Sequence, residues 1–151
     1  MLSKIKLIIF MIVLLGGSVY FFSSNSSYQN SIQARIYYFL GNYESAYDLA
    51  KEAYKQDSYN KMANTVMTQS AIAKEYEAYI KQGNEYFTRI DEISSKKDYT
   101  EADKVRVKMM CEIMIESYKE LAPSTLTDES LQLSSKKMQK KFIQLYEELF
   151  N

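Results

Sequence analysis

Apolar residues sit along this chain in two patterns. Between Ile5 and Phe22 they form a nearly unbroken run, interrupted only by Lys6 and the small Gly16-Gly17-Ser18 step. From residue 31 onward they recur every three or four positions, the period of a helix with one buried side. The continuous run has 16 residues from Leu7 to Phe22, about 24 Å as a helix. Counted from Ile5, with Lys6 snorkelling, it has 18 residues and about 27 Å, close to the hydrocarbon thickness of a bilayer. A cleaved secretory leader also begins basic and then apolar. Here, however, no A-x-A-like exit follows the run, which closes on Tyr20-Phe21-Phe22, a boundary suited to a membrane–water interface. Residues 1–22 therefore read as a signal anchor or transmembrane helix. Lys4 and Lys6 precede the run and the next charge is Arg35, which predicts a cytoplasmic N-terminus and an exported remainder. Residues 23–30, small, polar and uncharged, read as a spacer.

The periodic part predicts an all-α fold. A first helix over 31–40 places Ile32, Ile36, Phe39 and Leu40 at helical spacing. Gly41 supplies a left-handed stop, and Asn42 caps the next helix, with Glu44 at its positive end and Lys51 and Lys55 at its negative end. Ala46, Ala50 and Ala53 form a stripe of small residues on that second helix, where an antiparallel partner can approach closely. From Lys61, the positions Met62, Val66, Gln69, Ala73, Tyr76, Ile80, Gly83, Phe87 and Ile90 keep a 4-3 spacing. They predict one long helix, bent at Gly83-Asn84 and packed in a bundle rather than paired as a coiled coil. After the polar break at 94–100, Thr100 caps a helix with Glu101 and Asp103 in its first turn and Val107, Met110, Cys111, Met114, Tyr118 and Leu121 inward. The alternation at 105–109 suits a strand equally well; caps, length and neighbours decide for helix. Pro123 ends that element, and Met138, Phe142, Leu145 and Leu149 mark a last amphipathic helix.

The stretch YYFLGNYESAYDLAKEAYKQDSYN (37–60) resembles the second half of a tetratricopeptide repeat, through Tyr37, Leu40-Gly41, Tyr43, Ala46, Ala53 and Asp57. Ser58 stands where that family commonly has proline, and Asn30 and Gln33 stand where it prefers large apolar residues. One repeat is covered. A second would place its turn glycine near position 75, which is Glu75; Gly83 comes eight residues late. Open repeat faces need neighbours, so the later helices or another protein must cover this one. The resemblance implies peptide binding on the concave side, at the positions matching Tyr28, Ser31, Arg35, Tyr38 and Phe39. The Lys/Asn set that some members use to clamp a carboxylate is absent.

Composition narrows the function. Apolar residues make up 46% and charged residues 25%, which places the chain among globular proteins. It has no histidine and a single cysteine, Cys111, so the commonest acid–base residue and any intramolecular disulfide are missing. No phosphate-binding, dinucleotide or nucleophile-elbow motif occurs, so no catalytic residue, metal ligand or cofactor is expected. Net charge is zero, and nothing points to nucleic acid. With Lys4 and Lys6 set apart, 17 basic residues face 19 acidic ones, a net −2, so bulk charge does not draw the exported part to anionic lipid. Lys136, Lys137, Lys140 and Lys141 share one helix face, either solubilising or able to dock an acidic partner or anionic headgroups.

The expectation is a single helical domain over 31–150, TPR-like and held by an N-terminal transmembrane helix. It is a non-catalytic scaffold, adaptor or assembly factor, whose partners are other proteins of a membrane-associated complex; self-association stays open. By likeness to anchored TPR proteins of secretion, pilus or flagellar machinery, the place is a bacterial inner membrane, with the helical domain periplasmic. The alternatives are a periplasmic chaperone-like module that binds peptides through Arg35, Tyr38 and Phe39, and, well behind, an enzyme using carboxylates and tyrosines.

Overall fold

The structure, a computed structural model, describes residues 2–121 and 127–150; for 2–4 and 21–24 it describes the backbone only. Among the described residues six helices follow one another: α1 (Leu2–Ser24), α2 (Ser26–Phe39), α3 (Tyr43–Gln56), α4 (Lys61–Ser94), α5 (Glu101–Glu120) and α6 (Glu129–Phe150). Among the described residues there is no strand, so 105–109 is helical. Pro123 lies outside the described residues, as do the side chains of Phe21 and Phe22. The chain divides into two compact units, 1–70 and 71–151. The first ten residues of α4 belong to the first unit and the rest to the second.

In the first unit, α2 begins at Ser26, so most of the 23–30 spacer is helix. Asn25 caps it, accepting from the Tyr28 amide at 3.3 Å. The serines that read as linker are interior: Ser27 and Ser31 are buried together with Ala34. This inverts the expected face. Ile32, Ile36, Phe39 and Leu40 are 42%, 54%, 72% and 74% exposed, although their spacing predicted the buried side. The cause lies in α3, which offers only Tyr43, Ala46, Ala50 and Ala53 as buried residues. An alanine stripe leaves room for serine and alanine opposite and none for isoleucine, so the bulky side chains of α2 turn outward.

The turn between them follows the expectation. Gly41 has φ 76°, its amide donates to the Tyr38 carbonyl at 3.0 Å, and the Asn42 amide donates to Tyr37 at 2.9 Å. That pair of bonds is a Schellman motif, which needs a left-handed residue at the glycine position. Asn42 then caps α3 through the Ser45 amide at 3.1 Å.

Asn60 ties α2, α3 and α4 together from a site 1% exposed. Its amide donates to Ser27 Oγ at 3.0 Å and to Ser31 Oγ at 3.2 Å, while its Oδ1 accepts from the Ala63 amide at 3.1 Å and caps α4. Ser27 in turn donates to the Ala53 carbonyl at 2.8 Å, and Ser31 to the Tyr28 carbonyl at 2.9 Å. Each of these buried polar groups has a partner, the condition for such a network to stabilise.

The second unit is built from the remainder of α4 with α5 and α6. Its core joins Tyr79, Ile90, Val107, Cys111, Met114, Met138 and Phe142. The α4 stripe runs close to expectation, but Tyr79 takes the deep position and Ile80 packs at its edge. Tyr79 donates its hydroxyl to the Met114 carbonyl at 2.9 Å. The Phe87 and Phe142 rings stack with centroids 4.2 Å apart. Helix α4 continues through Gly83, whose missing side chain makes space for Met138: a Cβ there would lie 2.6 Å from its sulfur. Leu149, expected inward, is 47% exposed, because the core ends at Phe142 and Leu145 with Tyr146 and Phe150 closing its edge. Thr100 and Asp103 form the capping box of α5. The two hydrogen bonds from Thr100 to Asp103, with Lys96 beside them, hold that carboxyl below its usual range.

Replacing Asn60 with alanine removes one helix cap and two buried hydrogen bonds, a loss of about 2–4 kcal/mol. Asn42→Ala, an exposed cap, costs about 1 kcal/mol. Urea unfolding of the full chain in mild detergent reads both; equal losses would contradict the network's role.

Candidate functional site

Three of the residues expected at a binding surface come together with residues that were not. Arg35, Tyr38 and Phe39 of α2 face Lys61, Met62, Thr65, Val66 and Gln69 of α4 across a groove of about 320 Å³. All eight belong to the first unit. The groove exists because α3, 14 residues long like α2, returns the chain to the end of α2 where Ser27 lies. It brings α4 back alongside α2, and Val66 closes the floor against Ala34, Ala46 and Ala50.

Its chemistry is one-sided. Arg35 and Lys61 contribute two cations, and no carboxylate lines the groove. Arg35 lies over the Phe39 ring, 5.5 Å from its centroid, a cation–π contact that orients the guanidinium while leaving its donors in water. Tyr38 meets Phe39 edge-on at 6.1 Å and Tyr43 at 5.3 Å. Thr65 turns its hydroxyl to the Lys61 carbonyl at 2.8 Å, so its methyl is free to face the groove. Met62, Val66 and the aromatic pair make an apolar trough with positive charge at its side and the Gln69 amide at hand. Such a trough suits a segment with an apolar side chain next to an acidic group.

The other expected positions fare differently. Ser31 is fully buried and committed to Asn60 and Tyr28, so it belongs to the scaffold. Tyr28 is half-buried and lies outside the groove lining. Lys136, Lys137 and Lys140 are exposed on α6. Lys141, also exposed, sits over the Phe87 ring at 5.8 Å, so the fourth cation of that face partly serves the core. Met62, Val66 and Gln69 had a legible signal, their 4-3 spacing, but it read as a bundle seam. Lys61 had none.

Two further grooves belong to the second unit. One, of about 370 Å³, pairs Ile93, Met109, Met110 and Ile113 with Arg89, Arg106 and Glu92. The other, of about 440 Å³, is edged by Glu75 and Glu120. Among the described residues no cluster of three or more histidine, cysteine or acidic side chains is placed to hold a metal ion. Cys111 is fully buried; burial, with Glu112 nearby, pushes its thiol up to about 11, far from a nucleophile's range. Burial, with Tyr118 nearby, likewise raises the Tyr79 phenol to about 12.

Comparison of the chain with family models, with characterised proteins and with solved structures finds no match. The tetratricopeptide resemblance therefore rests on the hairpin's own residues.

Both raised groups are neutral when protonated, so the folded state holds their protons more tightly than the unfolded chain does. Their contribution is complete below about pH 9, the unfolded thiol's value, and is lost as pH climbs toward 11 and 12. Urea midpoints of the full chain measured across that range should be level at first and then fall. Cys111→Ala should flatten the early part of the fall; an unchanged curve would contradict the assignment.

Proposed function

We propose that this chain is a non-catalytic, membrane-anchored adaptor whose α2/α4 groove holds a short acidic–apolar segment of another protein in a bacterial envelope assembly. The observation that carries the reading is the groove itself. It has an apolar floor and two cations unopposed by any lining carboxylate, and it sits on a hairpin closed behind by the Asn60 network. An adaptor needs a rigid face rather than a reacting group, and the available nucleophile, Cys111, is sealed in the core.

Membrane attachment is the second half of the proposal. Among the described residues no helix is long and apolar enough to cross a membrane. The described side chains of α1 run from residue 5 to residue 20, two short of the 18-residue run in the sequence. Support comes from their exposure. Ile5, Leu7 through Leu15, Val19 and Tyr20 are each half-exposed or more, on every side of the helix. A helix apolar all round is stable only when protein or lipid covers it. The N-terminal lysines keep that end in the cytoplasm and send the groove to the far side.

Binding of fluorescent peptide arrays to the full chain in mild detergent tests the groove. Peptides joining an acidic residue to a large apolar one should be selected, and binding should weaken as salt rises. Arg35→Ala with Phe39→Ala should weaken it by about tenfold or more, equivalent to about 1.4 kcal/mol, while Lys136→Ala with Lys140→Ala should not. Weak binding of unfolded peptides without regard to charge would favour the chaperone-like alternative. Binding indifferent to Arg35 and Phe39 would end both.

A further inference from the structure

The outward turn of α2 leaves an apolar strip whose position specifies what covers it. Ile32, Ile36 and Leu40 follow one another at four-residue steps, with Phe39 beside them, and all are exposed. Only Asn25 separates α2 from α1, so the helix that bears this strip follows directly on the one that bears the apolar run, and the strip begins at Ile32, ten residues after that run closes at Phe22. The charge pattern agrees. Between Lys6 and Glu44 the chain carries no acidic residue and a single basic one, Arg35. A strip meant for water carries more charge, and one meant to meet a cationic partner carries carboxylates. Helix α5 also shows an outward strip, Val105, Met109 and Ile113, but that helix carries nine charges, Glu101, Asp103, Glu112, Glu116 and Glu120 among Lys104, Arg106, Lys108 and Lys119, where α2 carries Arg35 alone.

The geometry points to α2 as an in-plane interfacial helix, its Ile32–Ile36–Leu40 strip seated in the headgroup–acyl boundary of the same bilayer that holds α1. The inference rests on the anchoring reading and adds a surface to it. Length supports it. From Asn25 to Leu40 the chain rises about 22 Å as a helix, whereas the headgroup zone on one side of a bilayer is only about 5–7 Å deep. Standing upright, α2 would carry Phe39 and Leu40 well into water; lying flat, it brings the whole strip to the boundary, where amphipathic helices sink about 5–10 Å. Tyr28 and Tyr37 on the same helix are the aromatic type enriched at that level, and Arg35 can reach phosphate by snorkelling. Seated so, the strip would hold the peptide groove, whose edge shares Arg35 and Phe39, close against the membrane surface.

The chain has no tryptophan, so single tryptophans report position cleanly. Full-length Ile36→Trp, Val13→Trp and Asp48→Trp variants are reconstituted in phosphatidylcholine–phosphatidylglycerol vesicles whose acyl chains are brominated at shallow or deep positions. Ile36→Trp should emit blue-shifted and lose about half its intensity to shallow bromines. Val13→Trp should be quenched best by deep ones, and Asp48→Trp by neither. Val13→Trp quenched with Ile36→Trp unquenched and red-emitting overturns the inference and leaves the anchor standing. No quenching at Val13 removes the anchor and the inference together. A blue-shifted but unquenched Ile36→Trp places the strip against protein, a second copy included, and also overturns it. Ile32→Trp, one turn away, should behave as Ile36→Trp does.

Discussion

The bonds from the Asn60 side chain to Ser27 and Ser31 can form only because the helices they join lie very close together. Alanines at 46, 50 and 53 and the small residues of α2 permit that approach, and the approach seals Asn60 away from water. Small side chains contribute little by burial: about 0.8 kcal/mol per methylene-sized group, against about 1.5–3 kcal/mol for a buried leucine or isoleucine. A hairpin packed this way lacks the apolar content that usually decides helix pairing. Fully satisfied buried hydrogen bonds, at about 1 kcal/mol each, then weigh as much as the packing. Losing a partner costs more, because a buried polar group is left without water or protein.

From that contact the functional surface follows. With its small face spent on α3, α2 has nowhere to put Ile32, Ile36, Phe39 and Leu40 except outside. Arg35, Tyr38 and Phe39 are carried to the side where α4 returns, and the groove forms between them and Lys61, Met62 and Val66. The second unit is organised differently, around large interlocking side chains such as Phe87 on Phe142 and Met138 in the notch at Gly83. It carries the buried thiol and phenol, and its one close approach to a glycine, Met138 at Gly83, is filled by a large side chain.

Much of this was legible in sequence where a local signal and the tertiary demand agreed. The Leu40-Gly41-Asn42 turn, the Thr100 cap and the alanine stripe of α3 are local chemistry, and they appear as read. The face of α2 was misread because apolar periodicity assumes that large residues go inward. Here the partner's alanines reversed the rule, and serines spelled as linker became core. Asn60 gave no signal, since an asparagine before a helix reads as an ordinary cap and its second role needs Ser27 and Ser31, some thirty residues earlier, in place. Three of the groove's eight residues were missed for a related reason: Met62, Val66 and Gln69 fit a seam equally well, and only the return of α4 to α2 distinguishes the two.

If small-for-small contact governs the hairpin, volume should matter where the side chain is smallest and matter little where it is largest. The direct measurement is the urea midpoint of Ala34→Leu beside that of Ile36→Ser, in the full chain under one detergent. Ala34→Leu should lose about 1–3 kcal/mol by overpacking, while Ile36→Ser should stay within about 0.5 kcal/mol of the parent. The opposite order, with the isoleucine costly and the alanine tolerant, would contradict the governing role of that contact.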